Sequence, residues 1–487
     1  MAMKDHDLHV YNSLSREKEE FKPLTEGHVG MYVCGPTVYS DAHLGHAKSY
    51  VSFDVIVRYL RHLGFKLRYV QNITDVGHLT DDADEGEDKL EKRARLDQVH
   101  PMELAETYTR RYLRDMDALK VVRADIYPRA TQHVPEQIAI VKELVEKGHA
   151  YEVNGNVYFS VPSWEAYGCL SGRKSDEQEA VHRVEVRSDK KDPRDFALWK
   201  VADGGHILRW DSPWGWGYPG WHVECSAMAV KYLGETFDIH GGGLENQFPH
   251  HECEIAQSNA TGHPFARYWL HNNMINVDGV KMGKSLGNFV TIEDALRDHD
   301  PEAIRAFLLM THFRSPANYT VEGLTAARNG LDRLQGCVAK LVEATGAAPE
   351  AEGPSDAVLA EAVARADRDF HAAMDDDFNT PIAVAALYDL VKPANLALAA
   401  GNASRAALQS ALDLFTGLGE EVLGIVGDPT VDEGSMAADP FIELLLSVRH
   451  DLKQQKLFDV ADHIRNGLTD AGIEVQDGKD GATWSRK

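Results

Sequence analysis

Apolar positions near the start of the chain fall into short runs followed by helical periodicity. Met31-Tyr32-Val33 ends in Cys34-Gly35-Pro36; a polar loop follows, and His43-Leu44-Gly45-His46 then opens an amphipathic segment from Ala47 to Leu63. That order predicts a strand, a tight turn and a helix. Gly64 is placed as a helix C′ residue, and Phe65 to Ile73 predicts a second strand. Strand, helix and strand in about 45 residues make a βαβ unit, which implies a parallel sheet with its ligand at the carboxyl ends of the strands. Thr74-Asp75 fall on that edge.

The pattern elsewhere is read the same way. Leu8 to Leu24 predicts an amino-terminal strand and loop, Asp81 to Leu96 a charged, solvated loop and helix, and Pro101 to about Leu119 a helix. Tyr151 to Phe159 predicts a hairpin turning at Asn154-Gly155, and Ser171 to Lys191 is polar and poor in structure. Residues 121–205 therefore read as an insertion over the ligand edge. The chain returns with Trp210 to Trp221, rich in Gly, Pro and Trp, which fits a rigid packed loop. Thr236 to His240 predicts a strand ending in Gly241-Gly242-Gly243, and Pro249 a helix start that puts His250 and Glu254 on one face.

Beyond Asn288 the periodicity is helical, over Ile292 to Met310, Thr320 to Thr345 and Ala357 through Leu423, with a break at Asp375 to Pro381. Gly346 to Ser355 and Gly427 to Asp439 read as loose stretches. The expected architecture is α/β: a Rossmann-type parallel-sheet domain with an insertion, then an α-helical bundle and a small C-terminal domain. The expected boundaries are 1–120 and 206–315 for the two halves of the sheet domain, 121–205 for the insertion, 316–430 for the bundle and 431–487 for the terminal unit.

Composition narrows the class. A chain of 487 residues needs more than one core. No apolar stretch reads as a membrane span and the first residues are no signal peptide, so a soluble, cytoplasmic protein is expected. Five widely spread cysteines without a CxxC pair argue against a disulfide framework and leave metal binding or buried thiols. The net charge of −25 points away from backbone-dominated nucleic-acid binding; any RNA contact would use local patches and depend on salt and Mg²⁺.

Two constellations carry chemistry. A helix N-terminus exposes unpaired N–H groups, so His43 and His46 in the first turn, with Gly45 between them, suit the phosphates of a nucleotide. Cys34, Cys225, His250 and Glu254 offer the donors of a tetrahedral zinc site, although from spacing alone the commoner reading makes each thiol a buried apolar residue and the histidine a satisfied helix residue. Lys281 and Lys284 stand three apart in a glycine-bearing loop, either a phosphate clamp or an exposed hairpin.

Taken together these stretches resemble a known family. Pro36-Thr37-Val38-Tyr39 to His43-Leu44-Gly45-His46 resembles the HIGH signature of class I aminoacyl-tRNA synthetases, and Lys281-Met282-Gly283-Lys284-Ser285 their KMSKS loop. Tyr32 to Tyr39, Gly220 to Met228, Asp238 to Gly243 and Phe248 to Glu252 resemble the cysteinyl-tRNA synthetases more narrowly. The resemblance implies a single zinc ion on Cys34, Cys225, His250 and Glu254 that takes the substrate thiolate, with Thr74, Trp221 and His240 lining the amino-acid pocket. It further implies ATP contacts at Pro36, Thr37, Gly45, His46 and Lys284, catalytic roles for His43, His46, Lys281 and Lys284, and Mg²⁺ accompanying ATP. The implied partners are L-cysteine, ATP and tRNA(Cys), with a monomer and no membrane. The alternative is the cysteine ligase of mycothiol synthesis, which shares the catalytic domain and zinc site but generally lacks the terminal unit. Two departures stand out: Gly283 replaces the first serine of the loop, and Cys253 precedes Glu254 where the family more often has asparagine. Adjacent helix residues point about 100° apart, so Cys253 is expected to miss the metal.

Overall fold

The computed structural model describes residues 6–77, 88–173, 189–283, 286–427, 435–454, 457–470, 472–478 and 481–486. Lys284, part of the charged run from Asp81 and most of the polar stretch from Ser171 lie outside the described residues. The chain divides into two compact units, Met1–Val426 and Gly427–Lys487.

In the first unit, β1 (His9–Asn12) and β2 (Glu17–Glu20) form an antiparallel hairpin. β3 (His28–Val33) enters the core, α1 (Leu44–His62) carries the chain back, and β4 (Lys66–Gln71) pairs with β3 in parallel. This is the expected βαβ unit, with Gly64 at φ +98° just past the helix. α2 (Lys89–Asp97) and α3 (Pro101–Ala118) follow.

α4 (Val134–Glu146) precedes an antiparallel sheet of β5 (Ala150–Val153), β6 (Asn156–Phe159), β7 (Phe196–Val201) and β8 (Gly217–Pro219). Asn154 and Gly155 turn the first hairpin with positive φ at both positions, as a two-residue turn between right-twisted strands requires. Val141, Leu144, Phe159, Leu198 and Trp199 build a core there that also takes in Val223 and Cys253. β8 lies downstream of residue 205 and leads through Gly220 into α5 (Trp221–Leu233). A methyl group on Gly220 would sit 2.1 Å from the Ala197 carbonyl oxygen, so only glycine fits that crossing.

β9 (Phe237–Gly243), α6 (His250–Ala260) and β10 (Ala266–Asn272) complete the central sheet, whose order is β10-β9-β3-β4 with every pair parallel. β9 runs on through the three glycines, one of which lies against Phe53: a methyl on Gly241 would overlap that ring at 2.5 Å. β11 (Ile275–Val277), β12 (Val280–Lys281), α7 (Ile292–Asp298), α8 (Pro301–Leu309) and β13 (Ala317–Tyr319) lead to the bundle of α9 (Val321–Ala347), α10 (Asp356–Asp375), α11 (Thr380–Ala400) and α12 (Arg405–Leu414). By length and composition alone α11 could cross a membrane, contrary to the reading that no stretch approaches that length. Its Ala383, Val384, Leu387, Leu390 and Ala394 are buried in the core shared with the other bundle helices, which accounts for the apolar run.

A buried ion pair lies under the joint between the sheet domain and the bundle. The fully buried Arg305 of α8 donates to Asp54 of α1, to the Leu119 carbonyl at 3.1 Å and to the Leu423 carbonyl at 2.5 Å. Asp54 also accepts from Arg58 and from the Val122 amide, each at 2.8 Å.

The second unit has α13 (Ser435–Gln454), α14 (Phe458–Asp470) and a hairpin of β14 (Ile473–Gly478) with β15 (Gly481–Arg486). Its core of Ile442, Leu446 and Leu468 is covered by Ile473, Val475 and Trp484. Trp484 is therefore an anchor of this hairpin.

Candidate active site

Because the central strands are parallel, their carboxyl ends share one edge, and the residues singled out by sequence collect there. Cys34 follows β3, Thr74 follows β4 and His240 lies in β9. On α5, Trp221, Glu224, Cys225 and Met228 are spaced i, i+3, i+4 and i+7 and so share a face.

Cys34, Cys225, His250 and Glu254 each bring one ligand atom within 4.8 Å of the others, and all four are buried. Cys34, His240, His251 and Glu254 form an overlapping set. The first contains both thiols, the donors that favour a soft divalent cation. His250 Nε2 lies 3.1 Å from Glu254 Oε1, one turn along α6, while its Nδ1 lies 3.0 Å from His222 Nδ1. The Trp221 indole stacks on the His250 ring at 4.4 Å. His240 Nε2 is 2.8 Å from the other Glu254 oxygen. A file of contacts supports Cys34: its Sγ is 3.2 Å from His251 Nε2, His251 Nδ1 is 2.8 Å from His271 Nε2, and His271 Nδ1 is 2.8 Å from Ser13 Oγ. Imidazoles that hold a ligand in place in this way commonly decide metal affinity. His222, His251, His271 and Ser13 were not picked out by sequence reasoning, since nothing in their spacing separates them from other polar residues.

Burial pushes the Cys34 thiol well above its ordinary range, with Cys225 and Glu254 adding to the effect. Burial likewise raises the Glu254 carboxyl, and lowers the His240 imidazole to about 3. Without a cation the Cys34 thiol keeps its proton through the neutral range, so a cation must displace it. Zinc affinity is therefore expected to rise with pH, by about tenfold per unit for each proton released. Competition with a chromogenic chelator at pH 6 and pH 8 measures this.

Cys253 turns away from the metal sets. Its Sγ lies 3.4 Å from the Tyr167 hydroxyl, within the core of the antiparallel sheet. Cys253→Ala is expected to keep full metal stoichiometry and to cost about 1 kcal/mol of stability from the small cavity. Metal analysis beside urea unfolding tests both parts.

The histidine pair sits at the start of α1. His43 Nδ1 accepts from the Gly45 amide at 3.0 Å, and His46 Nδ1 accepts from the His43 amide at 3.1 Å, so the two rings cap the helix reciprocally with centroids 3.9 Å apart. A methyl on Gly45 would meet His43 Cε1 at 2.7 Å and Met282 Cε at 3.6 Å, which places the Lys281 loop against this turn. The Leu44 amide donates to the Val290 carbonyl at 3.1 Å. Within the loop, the Asn288 side chain accepts from the Gly283 amide at 2.9 Å and donates to the Lys281 carbonyl at 3.2 Å, restraining the backbone freedom that Gly283 adds. Lys281 is exposed. Pro36 and Thr37 are tied to Thr74, whose amide donates to the Pro36 carbonyl at 3.1 Å and whose carbonyl accepts from the Val38 amide at 3.2 Å. The Thr74 hydroxyl accepts from Asn72 Nδ2 at 3.0 Å.

Residues 20–329 match the family described as tRNA synthetases class I (C) catalytic domain, and residues 369–427 match the DALR domain. The fold is shared with methionyl-tRNA synthetase from Mycobacterium tuberculosis in complex with methionyl-adenylate, at TM-score 0.59 and 15% identity over 86% of this chain and 94% of that one. It is also shared with LeuRS of an Agrobacterium radiobacter LeuRS–tRNA–LeuAMS complex, at TM-score 0.60 and 12% identity over 84% and 86%. Fold and family match together define a class I aminoacyl-tRNA synthetase. The chain is 53% identical to the cysteine–tRNA ligase of Chlorobaculum tepidum, covering 99% of both, and 52% identical to that of Deinococcus radiodurans, covering 99% of this chain and 97% of the relative. With the Thermus thermophilus cysteine–tRNA ligase identity is 48% over 98% of this chain and 99% of the relative. The chain belongs to the cysteine–tRNA ligase family.

Proposed function

We propose that this enzyme activates L-cysteine with ATP to the adenylate, releasing pyrophosphate, and then transfers cysteine to the 2′-hydroxyl of the terminal adenosine of tRNA(Cys), releasing AMP. The observation that carries this reading is the convergence of two thiols, an imidazole and a carboxylate, all buried, on the edge that also bears His43 and His46. Cys34, Cys225, His250 and Glu254 would hold zinc, which would supply a Lewis acid that prefers a thiolate to a hydroxyl.

The substrate carboxylate attacks the α-phosphorus of ATP, and the bond to pyrophosphate breaks. No side chain acts as nucleophile; the protein contributes positioning and stabilisation of phosphate charge. His43 and His46 hold phosphate oxygens with Pro36, Thr37 and Gly45, and Mg²⁺ accompanies the nucleotide. Lys281 and Lys284 neutralise charge on the leaving pyrophosphate. Thr74, Trp221 and His240 line the amino-acid pocket. The insertion at 121–205 sits over the edge between the catalytic halves 1–120 and 206–315, the bundle at 316–430 receives the tRNA stem, and 431–487 reads the anticodon side. A soluble cytoplasmic monomer completes the reading. The relatives matched over their whole length are cysteine–tRNA ligases, so the amino-sugar ligase is not retained.

Attachment of labelled cysteine to total tRNA with ATP and Mg²⁺, run beside serine, tests it. Charging with cysteine and not serine is expected. Adenylate formation without charging, or charging indifferent to the amino acid, would overturn the reading.

A further inference from the structure

The pocket contains one acidic group that the metal and nucleotide assignments leave unused. Glu224 is fully buried; among the described residues neither carboxylate oxygen makes a hydrogen bond within 3.5 Å, and the Thr74 hydroxyl is the one polar side chain close enough to interact with it. A buried carboxylate left in that condition is costly unless a cation meets it. The neighbouring buried carboxylates are engaged. Asp75 accepts from the Thr131 amide at 2.9 Å and hydroxyl at 2.7 Å, and Asp88 accepts from the amides of Gly77, Leu90 and Glu91. Glu252 accepts from the amides of Gly168, Leu170 and Ser171, and Glu254 faces His240 and His250.

Position says what would complete Glu224. It follows Trp221 by one turn on α5 and precedes the ligand Cys225, and its carboxylate is turned to the end of β4: a methyl on Gly77 would lie 2.9 Å from Glu224 Oε1, and Thr74 of the amino-acid pocket is its polar neighbour. The substrate reaches the metal through its sulfur and ATP through its carboxylate. Its ammonium group, two carbons from the sulfur, has to come to rest beside the ligands.

We infer that Glu224 receives the α-ammonium group of the amino-acid substrate. This rests on the functional reading above. It gives the substrate a third point of attachment, which fixes its chirality and aims its carboxylate at the α-phosphorus.

The test compares two ligands on two zinc-loaded proteins by calorimetry: L-cysteine, and 3-mercaptopropionate, which keeps the thiol and carboxylate but lacks the amino group. Wild type is expected to bind cysteine at least tenfold more tightly than 3-mercaptopropionate. In Glu224→Gln that preference should collapse, with cysteine weakened at least tenfold, 3-mercaptopropionate within twofold of wild type and zinc content unchanged. Equal weakening of both ligands, or survival of the preference, would overturn the inference. Failure of wild type to bind cysteine would instead count against the functional reading. If the Gln variant does not fold, Glu224→Asp keeps the charge but moves it by one methylene; weaker cysteine binding with unchanged 3-mercaptopropionate supports the inference, and parallel losses sink it.

Discussion

Stripping zinc from the protein is expected to reduce its preference for cysteine over serine to about 10²-fold, the level that an apolar pocket reaches against a near-isosteric substrate. Cysteine and serine differ at one atom, and packing cannot separate them further. What can is a site whose donors are left wanting by the wrong ligand; such sites reach about 10⁴-fold or more. Here the donors are two thiols, an imidazole and a carboxylate, gathered within 4.8 Å and buried. Cysteine activation itself should fall steeply, while the smaller rate with serine should change little. ATP–pyrophosphate exchange with each amino acid, before and after dialysis against a chelator and again after zinc is restored, gives the six rates needed. Unchanged discrimination in stripped protein would mean that selection resides in the pocket walls.

Arg305→Met is expected to destabilise the first unit by about 3 kcal/mol, because it removes one of the two guanidinium partners of the buried Asp54 and leaves Arg58 as the other. The guanidinium also satisfies the carbonyls of Leu119 and Leu423, so its loss strands acceptors in two further segments. Gly424, at φ +68°, packs directly on the guanidinium: a methyl there would be 2.7 Å from Arg305 Nε. The double variant Arg305→Met with Asp54→Leu should recover part of the loss, since the carboxylate that lost one of its two partners goes with it. Urea midpoints for the single and double variants test both statements; a single variant as stable as wild type would show the pair to be dispensable.

Much of the architecture was legible because its signals are local. The βαβ unit followed from the change of period between Met31 and Leu63, and the hairpin at Asn154-Gly155 from two residues that tolerate positive φ. The metal set was less so. His250 and Glu254 are visible as a helical pair, but Cys34 and Cys225 join them only through folding, and spacing alone favoured a core residue for each thiol. Support for that set was not legible: His222 meets His250 directly, while Ser13 and His271 reach Cys34 through His251 from distant segments, and a buried contact leaves no mark on local pattern. The apolar run of α11 shows the reverse error, because a helix buried in a bundle carries as little polarity as a membrane span.

The contact between Ser13 and His271 gives the first dozen or so residues a standing that their remoteness in sequence hides. That segment is bound further by the Ser13 amide to the Trp269 carbonyl and by Asn12 to the Trp269 amide. In exchanges between homologous chains, residues 8–21 should therefore be inherited together with 237–272. A chimera that splits the two would pair one relative's ligand helix with another's support, and its zinc content would show the mismatch before its folding did.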